Sequence, residues 1–163
     1  MAIGDFHTHS NRSDGILAPA ALIRRAASNG VRVVALTDHD TTEGIAEAQQ
    51  AADEAGVRLI PGLELSADLP DGGDAHILGF FTSIEQPRLQ TQLATYRDGR
   101  MARGKTMLAK LAALGMDLRW ERVLEIAGEA AVGRPHVAQA LVESGHAESV
   151  RDAFDRYLHT GGP

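Results

Sequence analysis

A β-branched, apolar run from Val31 to Thr37 lies between two stretches with helical patterning and runs straight into Asp38-His39-Asp40. Such a run reads as a strand buried on both faces, the mark of a parallel sheet. Before it, Leu17-Ala18-Pro19 opens a helix with proline in the first turn, Ala21, Leu22, Ala26 and Ala27 fall near one face, and Asn29-Gly30 stops it. After it, Thr41 or Thr42 can cap a second helix that carries Ile45, Ala48 and Ala52 at helical spacing and ends at Gly56. Ile3 to Phe6 reads as a strand ahead of this unit, Val57 to Ile60 as a third strand ending at Pro61, and Asp74 to Phe81 as a fourth after a turn at Pro70-Asp71-Gly72-Gly73. Strand and helix alternating in this way predict an α/β fold with right-handed crossovers.

The pattern changes after Gln86. Leu89, Leu93 and Tyr96, then Met107, Leu108, Leu111 and Leu114, predict a long helical arm ending at Gly115. Further helices are expected over Asp117 to Ala127, Arg134 to Ser144 and Ser149 to Leu158. We therefore divide the chain into an α/β body over residues 1–97 and a small helical subdomain over 98–163.

Composition narrows the chemistry. With no cysteine in 163 residues, disulfides, zinc fingers and thiol nucleophiles are excluded, so a metal must be held by His, Asp and Glu. A net charge of −6 removes the basic footprint of a duplex-binding protein. No run is long enough to cross a bilayer, and no basic-then-apolar leader opens the chain, which points to the cytoplasm. Thr160-Gly161-Gly162-Pro163 reads as a loop in mid-course, so the chain is expected to be the front part of a longer one.

Residues able to bind metal gather at strand termini. His7 and His9, two apart, point to one side of the first strand's end, and Asp14-Gly15 can bring a carboxylate back over it. Asp38 and His39 follow the second strand, Glu64 the third, and His76 lies near the start of the fourth. Each has an ordinary reading. His7 and His9 can be a surface pair, Asp38-His39 a hydrogen-bonded pair at a helix entry, Glu64 a solvated loop carboxylate, and His76 a core histidine. Their recurrence on four successive strands favours a shared site, because carboxyl ends of parallel strands are where α/β sites are built. Arg97, Arg100, Arg103 and Lys105 read either as a strand-guiding basic face or as the solvated side of a helix.

The runs D-F-H-T-H-S-x-x-S-D-G, A-L-T-D-H-D-T, P-G-L-E and H-I-L-G, in that order over residues 3–81, resemble the polymerase-and-histidinol-phosphatase (PHP) phosphoesterase family. Gly133-Arg134-Pro135-His136 at a helix start is similar to the subgroup that hydrolyses 3′,5′-nucleoside bisphosphates of the pAp type and trims RNA from its 5′ end. The resemblance implies a distorted (β/α)7 barrel, of which this chain holds the front part, with an inserted small helical subdomain. It implies up to three divalent ions, manganese first, with zinc, iron or magnesium as alternatives. His7 and His9 would hold the first ion, Glu64 would bridge it to a second held by His76, and Asp14 and His39 would hold the third. Arg134 and His136 would reach substrate phosphates, and His39 or His136 would protonate the leaving oxygen.

The expected reaction is attack by a metal-activated hydroxide on the 3′-phosphate of a nucleoside bisphosphate, or on short RNA. A histidinol-phosphatase-like monoesterase and a non-catalytic, metal-stabilised module are the alternatives. The partners expected are a nucleotide or short RNA, with no membrane and no duplex DNA. The family's later A-H-P and G-S-D-x-H motifs are not in these residues, and His146 and His159 match neither.

Overall fold

The computed structural model describes residues 3–68, 74–80 and 83–159. It consists of two compact units, Met1–Tyr96 and Arg97–Pro163.

In the first unit, β1 (Gly4–Thr8) leads through a loop to α1 (Pro19–Ser28), β2 (Val33–Leu36), α2 (Ile45–Ala55), β3 (Arg58–Asp68) and β4 (Asp74–Phe80). The strands form one mixed sheet in the order β1-β2-β3-β4. β1 and β2 pair in parallel, as do β2 and β3, while β3 and β4 are antiparallel. α1 starts on Pro19, where the missing N–H costs nothing, and α2 ends at Gly56, which takes the left-handed conformation at φ 66°. The core joins Ile23 of α1, Val34 and Leu36 of β2, Ile45, Ala48, Ala51 and Ala52 of α2, and Val57 and Leu59.

Three expectations need correction. The fully buried residue of α1 is Ile23, whereas Ala21 is exposed. Neither Thr41 nor Thr42 caps α2, because the cap position is Gly44, and Thr41 Oγ1 instead accepts from the Glu43 N–H at 3.2 Å. The third strand does not end at Pro61. It runs eleven residues, so Glu64 lies inside it and not after it. Its first part, Arg58–Pro61, pairs with β2, and from Gly62 onward it pairs with β4. Proline loses one ladder donor but fits strand geometry at this handover. A Cβ at Gly62 would sit 2.9 Å from the Gly79 carbonyl oxygen and 3.3 Å from that of Leu36, so only glycine lets both neighbours close in. The expected turn at 70–73 and the end of the fourth strand at Phe81 lie outside the described residues.

The division between the units falls within α3 (Pro87–Ala113), a single helix of 27 residues. The second unit adds α4 (Trp120–Ala127), α5 (Arg134–Glu143) and α6 (Val150–Ala153), which continues as a π-helical turn over Phe154–Leu158. Leu118 and Arg119 precede α4 in extended or irregular backbone, so that helix starts three residues later than its apolar pattern suggests. Ser149 caps α6 by accepting from the Asp152 N–H at 3.1 Å. Leu108, Leu111, Val123, Val132, Val137 and Leu141 are among the residues of its core. Each fully buried Val or Leu contributes about 1.5–3 kcal/mol. Among the described residues this unit has no strand, and no helix of the chain is long and apolar enough to cross a membrane.

Candidate metal centre

Backbone pairing brings the candidate ligands together. The Thr8 hydroxyl donates to the Ala35 carbonyl at 2.7 Å and the Thr37 N–H to the Thr8 carbonyl at 2.9 Å, which ties the ends of β1 and β2. The Glu64 N–H then donates to the Asp38 carbonyl at 3.1 Å, and the Asp40 N–H to the Glu64 carbonyl at 3.0 Å. This parallel bridge sets His39 beside Glu64. Across the β3–β4 ladder Glu64 faces Leu78 and Ser66 faces His76, so alternation puts His76 on the same face as Glu64. The antiparallel direction of β4 is what carries the start of that strand to this edge.

The side chains converge on Glu64, which is only 3% exposed. Its Oε2 lies 2.7 Å from His7 Nε2, 2.9 Å from His9 Nε2 and 3.8 Å from His39 Nε2, and its Oε1 lies 2.6 Å from His76 Nδ1. Asp14 closes the other side, with Oδ1 at 3.2 Å from His9 Nδ1 and Oδ2 at 3.6 Å from His39 Nε2. Three groups result: His7, His9 and Glu64; His9, Asp14 and His39; His39, Glu64 and His76. Within each group the ligand atoms lie within 4.8 Å of one another. The four imidazoles form a row, with successive ring centroids 5.0, 4.7 and 4.9 Å apart.

The electrostatics agree with a cation site. Burial pushes the Glu64 carboxyl up, but hydrogen bonds from His7 and His76 and the charges of His39 and His9 outweigh it and hold the group below its ordinary value. Burial pulls His9 down, while its hydrogen bond to Asp14 and the charges of Asp14, Glu64 and Asp38 hold it above the ordinary value. One carboxylate oxygen facing three imidazole nitrogens, two of them within hydrogen-bond reach, leaves little room for every ring to be a proton donor. Neutral imidazoles turning lone pairs toward divalent ions satisfy the same geometry, and a thiol-free His and carboxylate set suits zinc, iron or manganese. The residues present therefore fit divalent metals.

Arg134 and His136 open α5 in the second unit, with Pro135 in its first turn. His136 is buried, and its Nδ1 accepts the Gly133 N–H at 2.9 Å, so the side chain caps its own helix. The basic residues of α3 do not share one solvated face: Arg100 is buried, and Lys105 lies over the Trp120 ring at 5.7 Å. Sequence reasoning missed the supporting role of two residues. Asp38, expected either as a metal-capable residue or as half of a helix-entry pair, lies outside the three donor groups, is 2% exposed and takes hydrogen bonds from Ser10 and Ser13. Asp40, fully buried at φ 52°, accepts from the Ser66 N–H at 3.2 Å and so steadies β3 two residues past Glu64. A short run of three polar residues directly after a buried strand was the available signal for both.

The pattern that defines the PHP domain matches residues 5–162. The chain is 37% identical, over all of its length and 57% of the relative's, to a 3′,5′-nucleoside bisphosphate phosphatase of Chromobacterium violaceum. It is also 37% identical, over 98% of its length and 55% of the relative's, to the 5′-3′ exoribonuclease Rnm of Salmonella typhimurium. A solved Chromobacterium violaceum structure, described as an amidohydrolase with bound sulfate and no metal, superposes with a TM-score of 0.90 at 36% identity, covering 99% of this chain and 57% of that one. The chain thus spans a little over half the length of these relatives. Its mixed sheet and helices form part of such a (β/α) barrel.

Proposed function

The chain belongs to the PHP family, and on that premise we propose that it carries metal ligands of a phosphoesterase acting on nucleotide phosphate esters, with the 3′-phosphate of 3′,5′-nucleoside bisphosphates as the first substrate and short RNA, taken from the 5′ end, as the second. The observation that carries this reading is one buried carboxylate, Glu64, common to two of three converging donor groups. His7 and His9 would hold a first ion with Glu64, His76 a second with the same carboxylate, and Asp14 and His39 a third. Divalent ions bound there supply an acidified water and neutralise charge on a phosphoryl group. Manganese is the first ion to test, since all six ligands are imidazole or carboxylate.

The chain's own residues would do the rest. The planar fork of Arg134 suits a phosphate with two parallel hydrogen bonds. Because His136 Nδ1 accepts from the Gly133 N–H, its proton resides on Nε2, so the neutral ring would donate a hydrogen bond to a phosphate oxygen. Burial of Glu64 keeps water from competing for its hydrogen bonds to His7 and His76. The substrate class is favoured by the names of both relatives, which describe nucleotide or RNA substrates.

The test is phosphate release from pAp, with and without manganese, in parallel with a histidinol-type phosphomonoester. Metal-dependent release from pAp, abolished by chelator, is expected. Metal binding without any release would instead identify a structural module, and preference for the monoester would move the substrate class. Arg134→Ala should raise KM for the bisphosphate far more than it lowers kcat, and an unchanged KM would remove Arg134 from the phosphate.

A further inference from the structure

We infer that Asp38 is the positioning residue of this centre: through Ser10 and Ser13 it locks the loop Ser10–Gly15 into the conformation that presents His9 and Asp14. The inference rests on the metal-site reading above and adds a residue outside its ligand set.

Asp38 does not belong to any of the three donor groups. Its oxygens face the loop instead. Oδ1 accepts the Ser10 N–H at 2.7 Å and the Ser13 hydroxyl at 2.7 Å, and Oδ2 accepts the Ser10 hydroxyl at 2.6 Å. All three residues are at most 4% exposed, so no water replaces a lost bond cheaply. Short bonds to a carboxylate are the strong kind.

The loop is built around these anchors. The Ser13 and Gly15 N–H groups both donate to the Ser10 carbonyl, at 3.1 and 3.0 Å, and the Arg12 N–H to the Ser10 hydroxyl at 3.2 Å. A Cβ on Gly15 would stand 2.2 Å from the His9 carbonyl oxygen, so the chain folds back on itself as closely as backbone allows. Asp14 sits between Ser13 and Gly15, and its Oδ1 reaches His9 Nδ1 at 3.2 Å. The Ser13 hydroxyl also lies 3.3 Å from His9 Nδ1. Since that hydroxyl gives its proton to Asp38, it can only accept from the imidazole. Asp38 thereby favours the His9 tautomer whose Nε2, 2.9 Å from Glu64 Oε2, carries the lone pair. Partners of this kind behind a ligand set its orientation and basicity.

The experiment compares the unsubstituted chain with Asp38→Asn and Ser13→Ala, using calorimetric titration with Zn2+ and amide hydrogen exchange on the metal-free protein. Asparagine keeps the shape but points an amide NH2 at a hydroxyl donor. We expect Zn2+ affinity to fall about 10–100-fold in Asp38→Asn and by less in Ser13→Ala. The amides of Ser10, Ser13 and Gly15 should exchange faster in Asp38→Asn, while amides of α5 keep their protection. Unchanged exchange at those three amides would overturn the inference. So would a loosened loop with unaltered Zn2+ affinity, since Asp38 would then only stabilise a loop. Ser13→Ala keeps the test open if Asp38→Asn fails to fold, because unaltered affinity there breaks the link to His9. If the unsubstituted chain binds no Zn2+ at all, the metal-site reading itself falls, an outcome distinct from the other two.

Discussion

The two units bury different things. Among the described residues the first unit encloses Ser10, Ser13, Thr37, Asp38, His39, Asp40, Thr41, Thr42 and Glu64, nearly all at the strand ends. Of polar side chains the second encloses Arg100 and His136, and otherwise it packs leucine, valine, alanine and Met116. Enclosing polar groups is unfavourable unless each finds a partner, so a fold selected for stability alone would resemble the second unit. The polar interior of the first unit is what the proposed site would require, and its hydrogen bonds hold Glu64, Asp38 and their partners in place. Packing alone explains the second unit's core, while its Arg134 and His136 stand apart at a helix start.

That contrast breaks most sharply at Glu64. Glu64→Ala should leave the secondary structure intact and remove measurable metal binding and activity, as read by titration and phosphate release. Retained binding would mean that the imidazole row needs no shared carboxylate. Next in size, Leu141→Ala in the second unit should lower stability by about 2–5 kcal/mol in a denaturant melt while metal affinity stays the same, because a fully buried leucine leaves a cavity. A matched loss of metal affinity would show that the helical core supports the site.

The smallest effect is a pH dependence of the second unit. Glu143 is held below its ordinary value chiefly by its hydrogen bond from Arg122, and Asp152 chiefly by the Glu148 backbone N–H and then by Arg156. Carboxyls lowered in the folded state contribute stability that is complete above their unfolded range, about 4, and is lost as pH falls through the lower folded values. All four side chains are open to solvent, so salt should screen the contribution. A melt of Glu143→Gln with an unchanged acid limb would remove this pair from the account.

Much of this could be read along the chain. Pro19 and Gly56 mark helix ends because one lacks an N–H and the other tolerates positive φ, and both are local properties. The β-branched run around Val34 declares a buried strand for the same reason. His7 and His9 face one way because strands alternate. The residue types of the candidate centre were legible too, since few side chains carry a metal-ready lone pair and they recur strand by strand.

What the sequence could not decide depended on partners distant in the chain. Pro61 looks like a stop, and would be one if β3 had only β2 beside it, but β4 pairs with its second half and extends it past Glu64. Which imidazoles share a carboxylate was equally hidden, because Glu64 meets four imidazoles from three other segments whose spacing is set by sheet register. Asp38 gave no sign of its partners, since Ser10 and Ser13 lie 28 and 25 residues away. Local sequence determined the elements and the chemistry they carry. Tertiary pairing alone decided which groups meet, because hydrogen-bond ladders and buried carboxylates choose partners by proximity in space and not along the chain.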